Sequence, residues 1–460
     1  MLKKILIFAL SILLVFSFVA CGGKVENVEQ EEVNVNLDKN TSGKITVGVY
    51  ATNLEDLLKV IKEFNKVYPN IKVVTKTQAD TDRAILQWHK ADEKVPGSSP
   101  DIFWFATESF APLADGGILM DLNPWLNASY EAGILKKENL VQEAMLMGTL
   151  DGKQYLIPTH NDRIVTLVNK TILEKAGIKM PTAEEWTWEK FEEISTQLQS
   201  KYTSLGIASG IKAVNAHWES NSVVWPILKA HGVQVADENN NITLDSDATR
   251  NALTFLRSQV NKSYTAYNGS GNVSGGNVAF QFQSRSAMAV PTPIEGREFP
   301  EVGYFGKDDL EVLPFPALSV DGVNKIYYGA GSHGYAMYKR SRNQNLAWAF
   351  LQFLLSEQAQ DMFGEAGLHV PMLKSMEKNS EGTDWNWLKV PKRDMNHDAF
   401  ISNSDRNTAT DFHLQFPSKI RSAVYEAVLL MAQEAMTTTK SIDELINTCV
   451  QTLEFELSKV

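Results

Sequence analysis

The feature that most limits the fold is an alternation of strand and helix patterns beginning at Lys44. Ile45, Val47 and Val49 alternate with smaller or polar residues up to Tyr50, the period of a half-buried strand. Leu54, Leu57, Leu58, Ile61, Phe64 and Val67 then recur at helical spacing, and Tyr68-Pro69-Asn70 ends that helix. Ile71 to Val74 reads as a second strand. Ser98-Ser99-Pro100-Asp101 leads into Ile102-Phe103-Trp104-Phe105, a third and fully buried one. A β-α-β alternation of this length implies a mainly parallel sheet with helices on both faces. Ligands of such sheets collect at the carboxyl ends of the strands, which is where Tyr50, Trp104 and the loop through Glu108 are placed.

Two segments ahead of this pattern have no place in a core. Lys3 and Lys4 precede an apolar run from Ile5 to Phe18, closed by Val19-Ala20. The run is shorter than the roughly 20 residues a spanning helix needs, so residues 1–20 read as a secretory signal peptide. Cys21 follows Ala20 as in the bacterial lipobox, whose thiol is diacylated and becomes the mature N-terminus. Phe18 stands where leucine is usual, and the alternative is an ordinary cleaved signal with an incidental cysteine. The expected location is extracytoplasmic, lipid-anchored to the outer face of the cell membrane. Residues 21–43, rich in Gly, Glu and Asn, have little to bury and are expected to form a flexible lipidated tether.

Composition excludes several partners. Cys21 and Cys449 are the two cysteines; with Cys21 acylated there is no disulfide framework, and Cys449 sits among Leu445, Ile446, Val450 and Leu453 as a small apolar residue. The chain carries a net charge of −11, and the leader contributes only Lys3 and Lys4, so the remainder is more acidic still. That argues against nucleic acid and against electrostatic binding to anionic lipid. At 460 residues and 43% hydrophobic, the chain has material for two domains.

Short motifs continue in a fixed order along the chain. After Tyr68-Pro69-Asn70-Ile71 and Pro100-Asp101-Ile102 come Gly116-Gly117-Ile118 with Asp121-Leu122, then Asp151-Gly152-Lys153 to Pro158. Val168-Asn169-Lys170, Ala176-Gly177 and Pro181-Thr182 follow, with Trp186 and Trp188. Later stand Phe280 to Ser286-Ala287-Met288, Gly329-Ala330-Gly331 to Met337, and Ala347-Trp348-Ala349-Phe350-Leu351. Together they resemble the extracellular solute-binding proteins of ABC importers, in the large sugar-binding class (family 1) that includes maltose-binding protein. The resemblance spans essentially residues 44 to 460; each motif is degenerate and the order carries the signal.

The resemblance implies an α/β, two-lobe periplasmic-binding-protein-like fold (type II), with a ligand cleft between lobes joined by hinge crossings. The expected first lobe holds 44–158 and 325–367, the second 160–318 and 370–460. It implies a monomer that captures a carbohydrate, above all an oligosaccharide, by lobe closure and delivers it to ABC permease subunits. No catalysis, cofactor or metal is expected.

Expected ligand-binding residues combine strand-end placement with family positions. Tyr50 and Trp104 would offer rings to a sugar face. Glu108 matches a family acid whose carboxylate accepts from hydroxyls, against a reading as a helix-start acid. Asn161 and Asp162 follow the hinge segment Ile157-Pro158-Thr159-His160, and Asp162 falls at a family ligand acid. Trp218 and Trp225 stand in a loop-and-helix region that presents aromatics to the cleft. Glu295 stands near a missing family tryptophan, and Gly331 in a loop whose amides reach ligand. Trp125 and Trp348 read as packing, Trp186 and Trp188 as the cap and staple of a helix start; Trp385 and Trp387 are left open between a lid and packing. The alternatives are a ligand-sensing binding protein, a binder of an organic acid or polyamine, and, far behind, a glycoside hydrolase using two of these acids.

Overall fold

A computed structural model describes residues 28, 30–51, 54–78, 81–106, 110–161, 163–208, 210–267, 278–283, 310–329, 333–365, 370–376, 396–400, 407–408 and 415–460. In chain order the strands are β1 (Gly43–Tyr50), β2 (Ile71–Gln78), β3 (Ile102–Ala106), β4 (Thr149–Leu150), β5 (Lys153–Gln154), β6 (Ile157–Pro158), β7 (Val165–Asn169) and β8 (Val214–Asn215). They continue with β9 (Phe280–Gln283), β10 (Leu310–Leu313), β11 (Leu318–Val320), β12 (Val323–Lys325), β13 (Tyr328–Gly329), β14 (His333–Met337) and β15 (Asn407–Thr408). Two sheets dominate, in the orders β2-β1-β3-β14-β6 and β10-β7-β9-β8.

The first sheet is built as the alternation predicts. β1 pairs in parallel with β2 from Gly43↔Ile71 to Tyr50↔Gln78, and in parallel with β3 at Val47↔Ile102. Only β14 runs against its neighbours β3 and β6. Ile45, Val47 and Val49 bury one face of β1 against Phe64, Trp125, Trp348 and Phe350. Each such side chain contributes about 1.5–3 kcal/mol relative to exposure. The Pro100-Asp101-Ile102 motif has a physical role here: Asp101 Oδ2 accepts from Thr46 N (2.8 Å), while Oδ1 accepts from Ser341 Oγ (2.7 Å) and Asn343 Nδ2 (3.1 Å). One carboxylate thus ties β1 to the turn before the helix Gln344–Leu354.

The second lobe packs the helices Trp188–Lys201, Asn221–Ala230, Asp247–Val260, Arg421–Thr437 and Ile442–Leu457 with its sheet. Trp186, Trp188, Trp218, Phe191, Phe280, Phe282 and Phe315 form its centre. Trp186 and Trp188 are core, as are Trp125 and Trp348 in the first lobe. Cys449 is buried in the second core, and burial pushes its thiol up to about 12.

Two of the described stretches that join the lobes lie side by side: Thr159 N donates to His333 O (3.0 Å) and Ile164 N to Gly329 O (2.9 Å), while Asn161 N donates to Val370 O (2.8 Å), in a segment that leaves and re-enters the first lobe. The fully buried Gln360 braces them, donating to Thr159 O (3.1 Å) and accepting from Met372 N (2.8 Å). Gly329 must be glycine: a Cβ would lie 1.8 Å from Ser222 O at the start of the helix Asn221–Ala230.

Three sequence expectations are corrected. Residues 325–329 side with the second lobe, where β13 pairs with β15 and Ile326 packs on that core. Residues 372–376 side with the first, because Met372, Leu373 and Met376 join its core and Val141 N donates to Met372 O (2.9 Å). The segment expected to be loose throughout is docked over 31–35. Glu31 accepts from the backbone N–H of Gln344 (3.2 Å) and Asn345 (2.9 Å), and Val33 and Val35 pack on the first core. A carboxylate at a helix N-terminus satisfies two orphan donors and meets the positive end of the dipole. Residues 1–27, Cys21 among them, lie outside the described residues, where no helix is long and apolar enough to cross a membrane.

Candidate functional site

The carboxyl ends of β1 and β3 carry a ladder of rings. Trp104 lies flat on His333, with centroids 4.7 Å apart and planes 5° from parallel. Tyr50 meets Trp104 edge-on at 4.9 Å and 78°. His160 continues the row, 5.8 Å from His333. The pairing explains the geometry: β14 runs antiparallel to β3 with His333 opposite Ala106, so His333 is the diagonal neighbour of Trp104. One face of Trp104 is therefore already covered, and the residue is only 7% exposed. His333 is not among the ligand residues the sequence singles out; its stacking depends on a strand pairing far apart in the chain.

The hinge adds polar groups beside this ladder. Asn161 is buried, with its backbone bonded to Val370. Arg163 is buried too, its guanidinium 3.8 Å over the Tyr328 ring while Nε and Nη2 donate to Ala399 O (3.2 and 2.9 Å). Of the other expected ligand residues, Glu108, Asp162, Glu295 and Gly331 lie outside the described residues, as do Trp385 and Trp387.

In the second lobe the matching element is the loop after β8, from Ala216 to Ser220. Trp218 is not a stacking surface: it is 0% exposed, its Nε1 donates to Thr265 Oγ1 (3.0 Å), and it packs against Trp188 and Phe282. Trp225 is corrected likewise, buried in the second core on the helix Asn221–Ala230. What the loop presents instead is polar. His217 holds φ at 49°, and its Nδ1 lies 3.5 Å from Glu219 Oε1. Among the described residues, Glu219 Oε2 and Asn215 Oδ1 are buried without a hydrogen-bond partner. Both oxygens are acceptors of the kind a ligand hydroxyl can meet. Burial, and then the charge of Glu219, push the Tyr267 phenol up.

Comparison with known proteins gives one consistent answer. The family profile described as bacterial extracellular solute-binding protein matches residues 51–361. An arabinooligosaccharide-binding protein of Halalkalibacterium halodurans is 25% identical over 218 residues, 46% of this chain and 46% of that protein; the chain thus spans about half of that relative. Among solved structures, the ABC substrate-binding protein of Listeria monocytogenes in complex with cycloalternan superposes with a TM-score of 0.69 at 19% identity, covering 91% of this chain and 100% of that one. UgpB of Mycobacterium tuberculosis in complex with glycerophosphocholine gives 0.68 at 16% identity, covering 91% and 99%. At these identities the structures speak for the fold, which is the expected two-lobe type II arrangement.

Proposed function

The chain belongs to the bacterial extracellular solute-binding protein family, and from that premise we propose that it captures a carbohydrate between its lobes and passes it to an ABC permease. The observation that carries this reading is the ring ladder Tyr50–Trp104–His333 at the strand ends of the first lobe. A pyranose or furanose offers a face of C–H bonds to such rings and a rim of hydroxyls to polar groups. Asn215 and Glu219 supply acceptors for those hydroxyls from the second lobe, and an ionised carboxylate accepts more strongly than a neutral group. Closure then brings apolar and polar halves together around a desolvated ligand.

Arabino-oligosaccharides are the first class to test, in line with the Halalkalibacterium relative. The work of the protein is binding, not hydrolysis. Cys21 is its lipid anchor, and Glu31, ten positions on, is docked on the first lobe. Replacing Cys21 by Ala is expected to abolish acylation, checked by the mass of the N-terminal peptide.

The deciding experiment is a thermal-shift panel of arabinotriose, maltotriose, glycerophosphocholine, citrate and spermidine. A ligand at about 100 times its dissociation constant stabilises by about 2.7 kcal/mol. A shift with either trisaccharide supports the reading. A shift with spermidine, citrate or the glycerophosphodiester alone overturns the sugar class while leaving solute capture in place.

A further inference from the structure

Arg421 opens a second-lobe helix, but its charged end is held by the first lobe. Nη1 donates to Asp115 Oδ1 at 2.8 Å, and Nη2 to both oxygens of Asp151 at 2.8 and 3.0 Å. Nε donates to the Phe416 carbonyl at 2.7 Å, within its own lobe. The arginine side chain is 6% exposed, that of Asp115 14% and that of Asp151 64%.

The acceptors sit on separate supports. Asp115 ends the helix Phe110–Asp115 that follows β3, and Asp151 opens the two-residue turn between β4 and β5 with φ at 50°. Burial pushes the Asp115 carboxyl up and the Arg421 charge draws it down. Nearby Tyr155 is pushed up by burial and by the charges of Asp121, Asp151 and Asp115, so the acids of this patch crowd one another and Arg421 offsets them.

None of these residues lies in a crossing segment. Rotation about the crossings changes the distance from the helix Arg421–Thr437 to both acids, and three bonds of 2.8–3.0 Å survive at one interlobe angle only. We infer that Arg421, Asp115 and Asp151 form a cross-lobe latch that holds the lobe angle seen here and so sets the balance between lobe arrangements on which ligand affinity depends. This deepens the closure reading and rests on it. Arginine suits the task because its planar fork reaches two carboxylates at once, as lysine does not.

Spin labels placed by Leu86→Cys in the first lobe and Phe455→Cys in the second, both at exposed positions, read the angle in the full chain carrying Cys21→Ala. Buried Cys449 does not compete for label. The expected result is one narrow distance distribution for the parent. Arg421→Gln raises the population of other distances at least about tenfold, equivalent to about 1.4 kcal/mol. Arg421→Lys falls between, and Asp151→Asn added to Arg421→Gln changes nothing more. Should Arg421→Gln fail to fold, Asp151→Asn alone, at the more exposed acid, carries the test and broadens the distribution. Variants superposing on the parent overturn the latch; if arabinotriose or maltotriose still shifts the parent distance, lobe closure stands without it. If neither variants nor sugars shift any distance, the closure reading falls as well.

Discussion

The two halves of the candidate site are built from opposite materials. The first lobe presents rings already packed on one another, with Trp104 between Tyr50 and His333. The second presents a loop whose tryptophan is spent on the core, leaving acceptors of Asn215 and Glu219 that meet no donor among the described residues. On the proposed reading the difference is a division of labour: an apolar platform would give area and orientation, and a polar jaw would give selectivity when it arrives. Ring contacts tolerate many sugars, whereas a missing hydrogen bond to a buried acceptor discriminates steeply.

The strongest way to break this contrast is Trp104→Ala. Removing a ring that is both core and platform is expected to cost about 3–5 kcal/mol in chemical denaturation and to weaken sugar binding more than tenfold. Unchanged stability would mean the ladder is not packed as described. Next is Glu219→Gln, expected to lower affinity for the best trisaccharide by about tenfold, or about 1.4 kcal/mol by calorimetry, while unfolding shifts little. The opposite split, with stability lost and affinity kept, makes Glu219 a structural acid and removes the polar jaw. His333→Ala is smaller, about 1 kcal/mol of stability from the lost stacking pair, measured by urea unfolding. The least effect belongs to Glu31→Gln, about 0.5–1 kcal/mol, seen as faster hydrogen exchange at the first amides of the helix Gln344–Leu354 that backs the platform. No change in exchange there would detach the N-terminal segment from the platform's support.

Much of the first lobe was legible because its information is local. The alternation in β1, the helical spacing of Leu54 to Val67 and the Asp101 motif each act within a short stretch or at one joint. The place of Tyr50 and Trp104 in β1 and β3 followed from the strand pattern alone, their contact with ligand being the proposal. His333 did not, since its partner is defined only once β14 lies beside β3. Trp218 was misread because a loop pattern gives no sign of which way a side chain points, and its partner Thr265 is remote. The stretch 31–35 was read as loose from its polarity, but Glu31 directs that polarity at a helix start 313 residues away. Composition counts polar atoms without seeing what meets them.

That clasp at Glu31 has a mechanical consequence. The short strand of chain leading from Cys21 is fastened to one jaw of the pair, the jaw that carries the rings. On the proposed anchor, the nine residues between Cys21 and Glu31 can span at most about 30 Å, so this jaw would stay close to the bilayer and act as the fixed member. The other, carrying Glu219 and Arg421, would be the member that swings. A docking permease would thus meet a pincer held by its handle, and tell loaded from empty by the position of a single arm.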